Sequence, residues 1–447
     1  MSGKMYGDRK QEMIDFEIYP KIVQTGKCTT IHVRNLYPHK SAAEGVPFTV
    51  KIMPTEGYGQ TWTERFDEPK VVYYKEKELQ FSAIFSSEQE YIIELKPLPG
   101  FPEAAPVVEK NGITLRLRVY ALDEDLFVKR PWKGDIHMHS HHSDGRESPG
   151  FVAASCRKIG LDFMAVTDHG QYAPSIEAQE NYAETPIDLL ICRGEEVHPP
   201  ENPVHMIHFG GSSSMNELMK KDPDKYYAEV SLYEADLQEI SDPKLRYHIA
   251  SCCWVFDNIR KANGLGVFCH PYWFVREGYH IAGAVTDWMF EHKPYDAYEV
   301  IGGYHKYELD SNMIQVARYY EERIKGRKVP IVGVSDAHGC AASDLFGWYY
   351  TIVWSEDLER VILSDAIREE WSVAVTAVEG EAPRAYGPFR LTKLALFLLR
   401  EVFPLHDSLC DAEGEAMFSH LRGEPEGKAS LARLSGGVKK LYKKLWA

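Results

Sequence analysis

The sequence predicts an α/β unit with an all-β domain before it and a helical extension after it. Three observations carry this reading. Polar residues able to bind metal recur at the C-terminal ends of short apolar runs, which is where α/β barrels and open α/β sheets place their sites. From residue 129 onward, strand-like runs alternate with helical patterns. Before residue 129 the apolar residues recur with period two, and no helical stretch interrupts them.

Residues 1–12 are polar and are expected to be loose. In 13–128, strand-like runs fall at 14–19, 29–36, 47–53, 70–75, 79–85, 90–96 and 113–121; in the last, Leu115, Leu117 and Val119 alternate with Arg116 and Arg118. Short strands separated by Gly, Pro and polar turns predict an antiparallel β-sandwich of immunoglobulin-like type. His32 and His39 stand alone there, so a structural or oligomerisation role is expected. In 129–385, strands are expected near 134–139, 163–167, 189–193, 204–209, 265–269, 297–301 and 329–334, with another at 349–354. Ser148 and Pro149 form an N-cap and first-turn pair for a helix through Ile159; further helices are expected at 176–183, 244–263, 310–326 and 355–369.

The extension, 386–447, carries two apolar stripes. One is Leu391, Leu394, Leu398 and Val402; the other is Leu434, Val438, Leu441 and Leu445, beside Lys439, Lys440, Lys443 and Lys444. A basic amphipathic helix can lie on an anionic membrane, but docking on the protein's own acidic surface is preferred here.

A length of 447 residues suggests two or three domains, and 44% apolar residues allow a sizeable core. A net charge of −15 argues against nucleic acid as a general partner. The eight cysteines are dispersed with no C-x-x-C, several in apolar runs, as buried free thiols are. No apolar leader and no membrane-length apolar stretch are visible, so a reducing, cytoplasmic setting is expected.

The chemistry starts in Trp132–Arg146. His137 and His139 are two apart, so on a strand they share a face and can grip one cation. Asp144-Gly145 reads as a turn that can bring a carboxylate back over the strand end. Further on come Thr167-Asp168-His169, Gly194-Glu195-Glu196, His205, His270-Pro271 and Ser335-Asp336-Ala337-His338, each on or ending an apolar run.

In this order the pieces resemble the polymerase and histidinol phosphatase (PHP) metallohydrolases, over about 129–385. The resemblance rests on Asp-x-His-x-His-Ser-x-x-Ser-Asp-Gly at 135–145, Thr-Asp-His at 167–169, Gly-x-Glu at 194–196, the stretch from His205, His-Pro at 270–271 and Ser-Asp-x-His at 335–338. It implies a distorted seven-stranded (βα)7 barrel and two to three divalent ions. His137, His139, Glu196 and Asp336 would hold the first. Glu196 would bridge to a second, shared with His205 and His270, and Asp144, His169 and His338 would hold the third. Glu196, Asp336 and His338 count as catalytic as well as ligating. Mixed nitrogen and oxygen ligands suit zinc, manganese or iron, and a bridging hydroxide would be the nucleophile. Three divalent ions outweigh three carboxylates, so the expected partner is a small anionic substrate.

Alternation lets only one of Glu195 and Glu196 face inward, and Glu196 is favoured. Asp135 and Asp168 are expected to orient ligand imidazoles; His198, on the same face as Glu196, either does likewise or is structural. His208 should face away from His205. His141 and His142 are read as solvated, and His248, His280 and His292 have no motif context. Arg146, Arg193 and Arg276 are candidate anion forks; Tyr272, Trp273, His305 and Lys306 are candidates for the pocket mouth. The expected activity is phosphoester hydrolysis. Carbamate, ester or amide hydrolysis at the same site is the alternative, and a metal-retaining binding module without turnover is a third reading. A homo-oligomer is compatible with the sequence.

Overall fold

The structure, a computed structural model, describes residues 16–37, 42–57, 70–98, 115–341 and 345–447. The loose stretch expected at 1–12, and His39, lie outside the described residues. The chain forms two compact units. The first takes the chain up to Lys129 together with Arg400–Val402 and Lys439–Ala447; the second is Arg130–Leu399 with Phe403–Val438.

The first unit has two sheets. One orders β1 (Phe16–Tyr19), β3 (Cys28–Asn35) and β6 (Glu78–Ile84) as β1-β3-β6. The other contains β2 (Ile22–Gln24), β4 (Pro47–Pro54), β5 (Lys70–Tyr73), β7 (Gln89–Pro97) and β8 (Leu115–Leu122), in the order β2-β8-β7-β4-β5. Ile31, Val33 and Phe81 from one sheet share a core with Val50, Ile93, Leu95, Leu117 and Val119 from the other. The period-two pattern is the cause: inward residues of both sheets interdigitate while Arg116 faces out and pairs with Glu94 at 3.1 Å. The sandwich is not wholly antiparallel, because β2 runs parallel to β8. On its other side Ile22 bridges Trp446, Lys21 N donates to Leu445 O, and Lys21 Nζ pairs with Glu401 at 3.1 Å.

The second unit is a mixed α/β structure. Its strands are β9 (Arg130–Asp135), β10 (Phe163–Ala165), β11 (Leu190–Cys192), β12 (Gly194–Val197), β13 (Met206–Phe209), β14 (Leu265–Phe268), β15 (Phe274–Val275), β16 (Gly278–Tyr279), β17 (Ala297–Ile301), β18 (Ile331–Gly333), β19 (Tyr349–Ser355), β20 (Ser372–Thr376) and β21 (Arg384–Tyr386). Hydrogen bonds join them into a six-stranded sheet, β11-β10-β9-β19-β20-β21, and a five-stranded one, β12-β13-β14-β17-β18; β15 and β16 form a separate hairpin. A regular run of parallel βα units is not what forms: β12, β13 and β14 pair antiparallel. Two isolated parallel bridges, Met138 to Ala337 and His169 to Glu196, tie the two sheets together.

The helix expected after Ser148 is Pro149–Lys158, capped by the Ser148 hydroxyl on Phe151 N. Helices at Met215–Lys221, Pro223–Ala235 and Gly283–His292 lie outside the expected set, although Ser214 and Asp222-Pro223 carry N-cap chemistry. The 386–447 tail is divided between the two units. Its helices are Phe389–Glu401, Phe403–Leu421, Pro425–Leu434 and Gly437–Leu445; Leu391, Leu394, Leu398 and Val402 of the first stripe are buried, while in the second Val438 and Leu445 are buried, Leu434 and Leu441 half-buried, and Lys439, Lys440, Lys443 and Lys444 exposed. Within the second unit, Gly414 lets helix Phe403–Leu421 approach Pro149–Lys158 closely, since a Cβ there would lie 2.5 Å from the Lys158 backbone. A buried ionic network locks the contact. Arg157 pairs with Asp162 at 2.9 Å and Glu413 at 2.7 Å, and His406 Nε2 meets Asp162 at 2.8 Å.

Candidate metal centre

Most of the candidate ligands stand beside the ends of buried strands, where the ladders thin to single bridges; Glu196 lies within β12 and Asp144 in the loop after His139. His137 O accepts from Asp336 N at 2.9 Å, and His139 N donates to Ala337 O at 2.9 Å, so 137–139 runs beside 336–338. Gly170 N donates to Glu196 O, which sets His169 beside β12. Asp336 and His270 hold positive φ, 51° and 24°, a backbone state that costs about 1–3 kcal/mol and tends to occur where a side chain is being aimed.

Glu196 is the hub. Its Oε2 lies 2.5 Å from His169 Nδ1, 3.5 Å from His198 Nε2 and 3.6 Å from Nε2 of both His137 and His139. Its Oε1 lies 2.8 Å from His205 Nδ1 and 3.6 Å from His270 Nε2. Asp336 Oδ1 sits between His139 Nε2 at 2.9 Å and His137 Nε2 at 3.1 Å. At the rim, Asp144 Oδ1 is 3.4 Å from His169 Nε2 and 3.3 Å from His338 Nε2. The structure therefore brings all nine sequence-derived ligand candidates together, with His198 beside them. Burial alone would raise Glu196, but His205 and His137 override it and hold its carboxyl well below the usual carboxylate range. Burial pushes His205 down to about 4.

These residues fit divalent cations. Donor atoms fall within 4.8 Å of one another in His137, His139 and Glu196, in His137, His270 and Asp336, and in His139, Asp144, His169 and His338. Metal–ligand bonds of about 2.0–2.2 Å require donors to converge to this degree. Both Glu196 oxygens and His137 Nε2 are buried, and among the described residues none of their close contacts has the alignment of a hydrogen bond. Buried orphan acceptors are costly, and a cation would satisfy them.

Neighbouring residues take other roles. Asp135 accepts from the backbone of His137 at 3.2 Å and of Ser335 at 3.1 Å, and Asp168 accepts from Ser140 N at 2.8 Å and from the Ser140 and Ser143 hydroxyls. Each fixes backbone or loop near the ligands, in place of the expected imidazole contact. Glu195 faces away from Glu196 and binds Ser214, Met215 N, Asn216 and His208. Arg146 lies against Gly339, where an added Cβ would be 3.1 Å from its Cδ. Arg193 donates to Gln179 at 3.2 Å and Arg276 is at the exposed tip of the β15–β16 hairpin; among the described residues neither has an ion pair with a ligand. Tyr272 packs edge-on against Tyr279, and His305 stacks on Tyr307. Trp273 and His280 line the cluster instead, with ring centroids 6.5 and 5.4 Å from His205. No motif in the sequence marks His280. Glu299 and Cys269 lie outside the sequence motifs for ligands as well, yet both sit against His137.

No family model matches the chain. The DNA polymerase/3'-5' exonuclease PolX of Bacillus subtilis (strain 168) is 36% identical over 88 residues, a match spanning 20% of this chain and only 14% of that protein. Among solved structures, a two-domain protein from Bacteroides vulgatus ATCC 8482, containing a predicted PHP-like metal-dependent phosphoesterase, covers 62% of this chain and 71% of its own, at 17% identity and TM-score 0.42. An amidohydrolase from Chromobacterium violaceum, with bound sulfate and no metal, covers 46% and 87%, at 16% identity and TM-score 0.31. The second unit is a mixed α/β fold. The resemblance to the PHP family read from its motifs is borne out.

Proposed function

We propose that the chain is a metal-dependent hydrolase, and more narrowly a phosphoesterase acting on a small anionic substrate. The β9, β10, β12, β13, β14, β17 and β18 strands, joined through the two isolated bridges, are read as the distorted barrel that carries the site, with the sandwich as a separate structural domain. The observation that supports the phosphoester reading is the fourfold group of His139, Asp144, His169 and His338 beside the Glu196 hub. Divalent ions bound there would supply Lewis acidity and an activated water nucleophile. Glu196 and Asp336 would hold the inner ions while His137, His139, His205 and His270 complete their coordination. Asp144, His169 and His338, being partly exposed, would hold a further ion where an incoming phosphoryl group arrives. A phosphoryl transition state spreads charge over several oxygens, and this outer group supplies a place to neutralise it. A carbonyl substrate needs the inner groups alone.

The test is turnover by the zinc-, manganese- or iron-loaded protein on a panel of phosphoesters, carbamates and aryl esters. Preference for phosphoesters with inhibition by inorganic phosphate is expected. Carbamate or ester turnover without phosphate inhibition would replace this reading with carbonyl hydrolysis. Full metal loading with no turnover on any class would favour a binding module.

A further inference from the structure

Glu299 lies at the centre of β17, a strand whose five residues are all buried. A carboxylate in such a run is expensive unless a specific partner holds it. Its Oε2 lies 3.2 Å from His137 Nδ1, and both side chains are closed to solvent. Its Oε1 has no hydrogen bond among the described residues. An ionised carboxylate only accepts, so when a cation takes Nε2, the proton between the two belongs on His137 Nδ1. Nε2 is the atom that faces Asp336 Oδ1 at 3.1 Å and Glu196 Oε2 at 3.6 Å. Cys269 Sγ closes the third side of the pair, and its own hydrogen bond goes to Val267 O at 3.4 Å.

We propose that Glu299 is a positioning residue for His137. It fixes the tautomer and the ring angle so that the Nε2 lone pair points into the inner ligand group. Glu299 itself meets the ring at Nδ1, the nitrogen opposite the one that faces Glu196 and Asp336. A carboxylate on the far nitrogen also makes the imidazole a stronger ligand. A cation held directly by His137 Nδ1, Cys269 and Glu299 is the rival arrangement, but it would need both nitrogens of His137 stripped of protons to serve the two sides.

This inference rests on the metal reading above, so the experiment separates the two. Zinc affinity and stoichiometry are measured by chelator competition on the full-length wild type and on Glu299→Gln, with melting temperatures of the metal-free forms alongside. The expected result is unchanged stoichiometry at saturation with inner-site affinity weakened about 10–100-fold. Wild type that binds no zinc would overturn the metal reading and this inference with it. Zinc bound equally tightly by both proteins would overturn the role of Glu299 alone. Loss of one full equivalent in the variant would make Glu299 a ligand and overturn the positioning role. Should Glu299→Gln fail to fold, ¹⁵N shifts of the zinc-loaded wild type decide. They are expected to show His137 protonated at Nδ1 and metal-bound at Nε2, and the reverse assignment would overturn the proposal.

Discussion

Asp144 Oδ1 lies 3.3 Å from His338 Nε2, and both side chains reach solvent, 59% and 37% exposed, while those of His137 and His139 do not. The cluster is therefore graded from a dry interior to a wet lip. The inner groups can keep cations that the lip exchanges, and each end invites a different test.

At the lip, His338→Ala should leave the inner ions in place and lower phosphoester turnover by about 10³-fold, or about 4 kcal/mol of transition-state stabilisation. Steady-state rates read against metal content decide it. Near-normal turnover would remove the outer group from the reaction.

Inside, the protein grown with zinc, iron or manganese should carry two to three divalent ions per chain by elemental analysis. His137→Ala and Asp336→Ala should each lower that number. Less than one equivalent in the wild type would contradict the reading of the orphaned Glu196 oxygens as metal acceptors.

Asp135 supports the backbone on both sides of the site, through His137 N and Ser335 N. Asp135→Asn turns one acceptor into a donor facing a donor. A loss of about 1–3 kcal/mol of stability is expected, measured by denaturant unfolding of the metal-free protein. Unchanged stability with impaired turnover would place Asp135 in the chemistry instead.

The candidate ligands could be read from sequence because most lie in or beside short buried strands and the motifs keep their order. The supporting residues could not. Glu195 and Glu196 are adjacent acids that read as a poor strand, yet both are buried in β12, one held by the Ser214–Asn216 helix start and the other by histidines. Glu299 did leave a trace, a lone charge inside the apolar stretch Ala297–Ile301, and burial on both faces of the strand is what makes such a charge informative. His280 left none, because it lies in the bend after a two-residue hairpin strand, where there is no periodicity to read. The 386–447 tail read as one extension because sequence shows an amphipathic stripe without showing which surface covers it.

The buried network around Asp162 makes stability depend on pH. Burial opposes the charged form of His406, but Asp162 outweighs it and holds the imidazole well above its usual value. Burial likewise opposes ionised Asp162, but His406 and Arg157 bring it down to about 2. The His406 contribution is complete below an unfolded pKa of about 6.5 and is lost as pH rises through the raised folded value. The Asp162 contribution is present above about 3.9 and is lost as pH falls towards 2. Melting curves of wild type and His406→Gln should therefore differ most in mildly acidic buffer and converge in alkaline buffer. A constant gap would mean that packing, not charge, is what His406 supplies.

Ile22, on the edge strand of its sheet, finds its last partner in Trp446. The first unit is thus begun by residues made before the second unit and finished by Lys439–Ala447, which are made after it. Until Lys439–Ala447 emerge, β2 has an unpaired edge, the kind of surface that recruits foreign strands. During translation the order of completion runs against the order of synthesis. The second unit can close while the first still waits, so truncation or stalling before Lys439 should harm the unit that was begun earlier.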